Sequence, residues 1–318
     1  MERHAESSLT ERNRICRWIR QFFSTLLCLR SLYSGRAPFS RLPESLPSAT
    51  DLVRLELPNI PHAGCISSEE MVTQLSTLTN LVVLSLGFES PRPDQRSRCP
   101  PPMPRSVLPT LTHFKFHGAS EYLEDIVARV DAPLLEHLSI TFFYQLILHT
   151  PHLAHFITRT PNIKAHNEAH VIFLHDAVQV VLGSMQRVIL RTACRASDWQ
   201  LSFVAQICSS SLSLIIPLLK NLFICEGIDS QSHWQEDIEN SQWLELFDPF
   251  TAVKNLYLSE GVVPRIAPSL QELVGGRVTG VLPALESLFL EEPHSSGPVD
   301  ESHISNPVQE AIVMFVAA

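Results

Sequence analysis

The sequence predicts an α/β solenoid, with a curved parallel sheet on one side and helices outside it, and three observations carry the prediction. First, one phrase recurs: an apolar residue, two others, an apolar, one other, an apolar. Its copies are Leu52, Leu55, Leu57; Leu81, Leu84, Leu86; Leu111, Phe114, Phe116; and Leu135, Leu138, Ile140. They continue as Met185, Val188, Leu190; Leu219, Leu222, Ile224; Val253, Leu256, Leu258; and Leu285, Leu288, Leu290. Second, Pro stands two residues before the phrase at Pro109, Pro133, Pro217 and Pro283; with 23 Pro in 318 residues, chance supplies fewer than one such match. Third, helical patterns lie between the phrases. The copies begin 24 to 34 residues apart, except for an interval of 50 after Leu135, where a degenerate copy is expected near Pro161 and Ile163.

Taken in order, residues 1–45 read as an N-terminal helical cap segment and residues 46–318 as the solenoid. Glu11 to Leu32 is Arg-rich and amphipathic, with Ile15, Ile19, Phe22 and Leu26 on one helical face. Ser67-x-x-Glu70 is a capping box that opens a helix burying Met71 and Leu75. Ser120 is placed to cap a helix in which Leu123, Ile126, Val127 and Val130 follow the i, i+3, i+4, i+7 rule. Thr150-Pro151 sets Pro at a first helical position, before Leu153, Phe156 and Ile157. Asp198 caps the pattern of Leu201, Val204, Ala205 and Cys208, and Asn306-Pro307 precedes Ile312 and Phe315. Gly275-Gly276 reads as a helix C-terminal cap. Each Pro before a phrase is expected to stop the preceding helix and favour extended backbone.

One strand per unit, joined by helices, implies parallel strands with right-handed crossovers. At this period the fold is leucine-rich-repeat-like. Two stretches interrupt it. Residues 89–106 hold six Pro and four Arg, the composition of a surface loop in polyproline-like geometry, with Pro101-x-x-Pro104 inside it. Glu226 to Asp248 holds seven acids and no Lys or Arg, with Trp234 and Trp243; it reads as a solvated helix anchored by two indoles, or as an acidic docking site.

Charge and composition exclude several functions. A net charge of −9 argues against a nucleic-acid binder that works by phosphate neutralisation. No apolar run approaches the ~18 residues of a membrane helix. The seven Cys lack any C-x-x-C spacing and no secretory leader is recognisable, which points to reduced thiols in a cytoplasmic or nuclear protein. With 11 Gly there is no phosphate-cradling G-x-x-x-x-G-K and no G-x-G-x-x-G; G-x-S-x-G is also missing. His152 and His155, and His166 and His170, have ligand-like spacing, but neither pair completes a metal motif, so surface or interface roles are expected. No catalytic residue, cofactor or metal is expected.

The blocks Ser120-Glu-Tyr-Leu-Glu-Asp-Ile-Val-Ala-Arg, Asp131-Ala-Pro-Leu-Leu-Glu, Phe250-Thr-Ala-Val-Lys-Asn-Leu-Tyr-Leu and Leu282-Pro-Ala-Leu-Glu-Ser-Leu-Phe-Leu resemble fungal F-box-like proteins with degenerate leucine-rich repeats. So does Val263-Pro-Arg-Ile-Ala-Pro-Ser-Leu-Gln-Glu-Leu. The resemblance runs from about Leu46 to the end of the sequence. It implies the substrate-recognition part of an SCF ubiquitin-ligase receptor, in which an F-box holds a Skp-type adaptor and the repeats hold the target. Leu42-Pro43-Glu44-Ser45-Leu46 looks like the start of an F-box, but Pro47 breaks the helix that should follow, and no F-box is found. The helical pattern that runs to Ala318 reads as that of a truncated product. The expected function is a protein-binding repeat scaffold; the alternatives are a hydrolase-type enzyme and a non-functional truncated chain.

The candidate partner-binding residues follow from strand alternation. If the second and third apolar residues of each phrase point into the core, the residue between them points to the opposite, concave face. Those residues are Glu56, Ser85, Lys115, Ser139, Ile189, Phe223, Tyr257 and Phe289. The face turns from polar to aromatic, and Phe223, Tyr257 and Phe289 are expected to form one stripe that anchors a protein partner, unless a loop or the 226–248 insertion covers it and makes it core.

Overall fold

The structure, a computed structural model, describes residues 30–33, 51–60, 67–89, 105–145, 147–164, 166–183, 187–194, 200–227, 240–274 and 281–291. The chain divides into two compact units: residues 1–138 with 160–162, and residues 139–159 with 163–318. Of the helical segment expected over residues 1–45, residues 30–33 are described, and Ser31–Tyr33 is a strand, β1. The F-box-like start at 42–46, the bulk of the 89–106 loop, Asp198, Trp234, Gly275-Gly276 and the pattern after Asn306 lie outside the described residues.

The first unit contains β1, β2 (Arg54–Ile60), α1 (Ser68–Leu75), β3 (Val83–Phe88), β4 (Ser106–Val107), β5 (His113–Gly118), α2 (Ser120–Arg129) and β6 (Val130–Asp131). Strand β7 (His137–Phe142) spans the division. β1, β2, β3 and β5 are successive parallel neighbours, with Leu55 opposite Leu84 and Leu84 opposite Phe114. β4 and β6 form a separate two-residue parallel pair, so Ser106, expected in the loop, is a strand residue.

Strand alternation does what the phrase predicts. Leu55, Leu57, Leu84, Leu86, Phe114 and Phe116 are all buried. Each such side chain contributes about 1.5–3 kcal/mol on leaving water. Phe88 and Phe116 pack on Tyr122 of α2, with ring centroids 4.8 and 6.3 Å away. Helix α1 starts as the capping box requires: the Glu70 amide donates to Ser67 Oγ at 3.1 Å. Helix α2 differs from expectation. Its cap residue is Ala119, and Ser120 is buried inside the first turn.

The recurrent Pro has a more specific place than a helix stop. The amide of the first phrase residue donates to the carbonyl three residues earlier: Leu111 to Leu108, Leu135 to Ala132, Leu219 to Ile216 and Leu285 to Leu282. Pro109, Pro133, Pro217 and Pro283 therefore occupy the second position of a four-residue turn, where a fixed φ near −65° is favourable. Each turn leads into a strand.

The second unit contains α3 (Pro151–Arg159), the second half of α4 (Pro161–Lys164), β8 (Glu168–Phe173), β9 (Ala177–Leu182), β10 (Val188–Ala193), α5 (Gln200–Gln206), β11 (Asn221–Glu226), α6 (Asn240–Phe247), β12 (Asn255–Ser259), α7 (Val263–Val274) and β13 (Ser287–Glu291). Its strand order is β10-β9-β8-β11-β12-β13. The interval of 50 residues does hold a further strand, β8, a few residues after the expected place: Ala169 and Val171 lie opposite Leu222 and Ile224, while His166 stands where the phrase has its first apolar residue and Ile163 is buried in α4. The strict one-strand-per-unit pattern fails there, because β9 runs antiparallel to both β8 and β10. The reason is chain length. Three residues separate β8 from β9 and five separate β9 from β10, whereas a parallel crossover needs about a dozen or more. At the second turn Gly183 has φ +76°, and a Cβ there would lie 2.6 Å from His166 Nδ1, so glycine suits the site on two counts.

Helix α3 begins at Pro151 as expected and buries Leu153, Phe156 and Ile157. Thr150 ties it to the π-helical turn Ile207–Ser211 that continues α5. The Thr150 amide donates to Ser210 Oγ at 2.6 Å, and its hydroxyl lies 2.5 Å from Ser211 Oγ. The acidic stretch is less solvated than its composition suggests: Trp243 in α6 is fully buried and meets Phe173 of β8 edge-on at 5.9 Å, and Glu226 is bonded to Arg265 of α7. Cys194 and Cys208 are buried free thiols; burial pushes Cys194 up to about 12 and Cys208 higher still. Among the described residues, no helix is long and apolar enough to cross a membrane.

Candidate partner-binding face

Buried side chains on β8, β11 and β12 alternate with partly exposed ones, so the strands of the second unit turn one face to the helices and leave the other open. Register then lines up the residues of that face, of which Val181 on β9 is buried and the others are partly or well exposed. Ile189 is opposite Val181, Val181 opposite His170, His170 opposite Phe223, Phe223 opposite Tyr257, and Tyr257 opposite Phe289.

The last four of these form a continuous stack of rings. His170 and Phe223 have centroids 4.3 Å apart with planes 9° from parallel. Phe223 and Tyr257 are 4.2 Å apart at 9°, and Tyr257 and Phe289 are 4.6 Å apart at 12°. These spacings sit just under the ~4.8 Å between neighbouring strands, so the sheet itself sets the stack. The inner rings cover one another's faces and present their edges outward. Phe289 is 39% exposed, while Phe223 and Tyr257 are partly exposed and outside the core. A polar row flanks the rings: Asn221, Asn255 and Ser287 are in register, and Asn255 Nδ2 donates to Asn221 Oδ1 at 2.8 Å.

Phe223, Tyr257 and Phe289 are thus brought together as the sequence predicts. Ile189 is not their neighbour; Val181 and His170 stand between, because the β8–β10 meander occupies that place in the sheet. His170 is the member that repeat reading missed. Its signal was the alternation Ala169, Val171, Phe173 around it, three buried residues that turn His170 to the open face. The i, i+4 pairing of His170 with His166 gives no shared helix, since β8 is a strand. His152 and His155 are exposed on α3. Among the described residues, no group of three or more His, Cys, Asp or Glu side chains is placed to hold a metal ion.

In the first unit the equivalent row is polar. Glu56, Ser85 and Lys115 are in register, and Arg54 Nη1 lies 2.9 Å from Glu56 Oε1. Beside that row His113 stacks on His137 at 4.5 Å, and Thr112 Oγ1 lies 2.8 Å from His113 Nδ1. Burial, together with the neighbouring His137, Lys115 and Arg54, holds His113 below its ordinary value of 6.5, against an opposing pull from Glu136. The folded state therefore binds this proton less tightly than the unfolded chain does. Its contribution to stability is present above pH 6.5 and is lost as pH falls through the lowered value. His113→Gln is expected to flatten the fall of melting temperature on the acid side of pH 6.5, measured by circular dichroism. An unchanged slope would contradict the assignment.

No family model matches this sequence, and no curated protein does. Among solved structures the chain is similar to the leucine-rich repeat-containing protein LegL7 from Legionella pneumophila, at 14% identity, with 83% of each chain covered and a TM-score of 0.30. A likeness at that level carries no functional argument. The leucine-rich-repeat-like class rests on the strand registers and turns of the chain itself.

Proposed function

We propose that this chain is a protein-binding repeat scaffold whose partner docks on the open strand face of the second unit, across His170, Phe223, Tyr257 and Phe289. The observation that carries the reading is the in-register, partly exposed ring stack. Aromatic side chains at the centre of an interface commonly contribute 2 kcal/mol or more each. Rings already fixed by their neighbours lose little conformational entropy on binding. Because the inner ring faces are covered, a flat ligand such as a sugar or base has no internal slot. Ring edges with a flanking amide row suit a polypeptide surface, with apolar side chains on the edges and backbone groups on Asn221 and Asn255.

The test is quantitative affinity purification with the wild-type chain and with a Phe223→Ala, Tyr257→Ala double variant. A partner that is recovered only with wild type, and then binds in purified form, supports the reading. Equal recovery with both would overturn it.

The finer role, target recognition within a ubiquitin-ligase receptor, is supported by the block-level resemblance to F-box-like repeat proteins. It leaves adaptor binding as a separate matter, since Pro47 interrupts the F-box-like start at Leu42. This chain alone is expected to form no submicromolar complex with a purified Skp-type adaptor. A tight complex in a titration would show that an adaptor site exists.

A further inference from the structure

We propose that copies of this chain associate head to tail, the β13 edge of one pairing with the β1 edge of the next, so that Tyr33 of one copy extends the ring stack that ends at Phe289 of the other. This goes beyond the partner-docking reading. It uses the strand edge and the outer ring face of Phe289 rather than the outward ring edges.

Among the described residues, β1 ends the strand order of the first unit and β13 ends that of the second. An edge strand is a template for another strand, and proteins usually blunt it with Pro, Lys or a bulge. Neither Ser31-Leu32-Tyr33 nor Ser287-Leu288-Phe289-Leu290-Glu291 contains Pro, Lys or Arg; the protection they do have is the three-residue length of β1 and Glu291 at the end of β13.

The sequences of the two edges match each other. Three of the four stack-forming strands carry one triplet of polar residue, Leu and aromatic: Asn221-Leu222-Phe223, Asn255-Leu256-Tyr257 and Ser287-Leu288-Phe289; β8, at the far end of the stack, has Glu168-Ala169-His170 instead. β1 carries the same triplet as Ser31-Leu32-Tyr33. Its own neighbours do not, since β2 has Arg54-Leu55-Glu56 and β3 has Val83-Leu84-Ser85. In composition β1 is the next strand of the second unit's ladder, yet it sits on the first unit.

On β1 Leu32 is buried and Tyr33 is 68% exposed; on β13 Leu288 is half-buried and Phe289 is 39% exposed, so the apolar side of the β13 edge has surface left for a neighbouring Leu to cover. Parallel in-register addition sets Ser31 beside Ser287, Leu32 beside Leu288 on the core side, and Tyr33 over the exposed face of Phe289. At the ~4.8 Å strand spacing, the new ring pair repeats the geometry of Tyr257 on Phe289. The contact is heterologous: each copy that joins leaves one edge open, so assembly continues beyond a dimer.

The experiment is sedimentation velocity on the full chain over a concentration series. Wild type is expected to show a weight-average sedimentation coefficient that climbs beyond that of a dimer. Tyr33→Lys and Phe289→Lys are each expected to remain monomeric with unchanged circular dichroism, because each removes one of the two complementary edges. An equimolar mixture of the two variants is expected to form a dimer that grows no further, since it restores one good junction. That recovery also shows that both variants are folded. Tyr33→Lys is expected to leave partner docking on the ring stack intact, which separates this proposal from that one. Wild type that stays monomeric throughout overturns the proposal, as does a wild-type dimer that stops growing or a mixture that stays monomeric.

Discussion

Trp243→Ala is expected to lower the folding stability of the second unit by about 3–5 kcal/mol, the range for removing a large aromatic from a core. Trp243 is fully buried, meets Phe173 edge-on at 5.9 Å and lies 6.4 Å from Phe247. It therefore joins α6 to β8, two elements far apart in sequence. Deleting the indole leaves a void walled by Phe173 and Phe247, and rings on a strand and a helix close such a gap only in part. Trp243→Phe keeps much of the contact and is expected to cost less than Trp243→Ala. Urea unfolding followed by circular dichroism reads both values. A loss below about 1 kcal/mol for Trp243→Ala would match a surface residue instead.

Tyr257→Ala is expected to weaken partner binding about 30-fold or more, equivalent to about 2 kcal/mol, while costing folding about 1–3 kcal/mol. The two effects separate because Tyr257 is packed sideways and open outward. It stacks on Phe223 at 4.2 Å and on Phe289 at 4.6 Å, yet its outer edge is solvated. Stacked pairs contribute about 0.5–1.5 kcal/mol each beyond area burial, well short of the cost of a core cavity. A folding loss near 4 kcal/mol with binding unchanged would make the ring a structural residue.

Much of this was legible because burial acts on every second strand residue. Leu222 and Ile224 had to face inward, so Phe223 had to face outward, and the same holds for Tyr257 between Leu256 and Leu258. Repeating the phrase in successive strands then puts Phe223, Tyr257 and Phe289 in register, which repeat spacing alone implies. The β8–β10 meander was harder to see, because Val188 and Leu190 fit the repeat phrase as well as any true copy. The distinguishing fact was the shortness of the two connections, three and five residues, which forces antiparallel pairing. With the meander unread, His170 had no place in the row. The cap of α2 was misplaced by one residue for a local reason: Ser120 is buried in the first helical turn, and Ala119 takes the extended backbone of the cap.

The central claim, that the open ring stack is the docking surface, is tested most directly by comparing two surfaces of the second unit with one purified partner. Titration calorimetry would measure binding by Phe223→Ala, Tyr257→Ala and Phe289→Ala on the ring stack, and by His152→Ala and His155→Ala on exposed positions of α3. The account predicts losses of about 30-fold or more for the ring-stack variants and wild-type affinity for the α3 variants. Wild-type affinity for all three ring-stack variants, with a loss on α3, would contradict it.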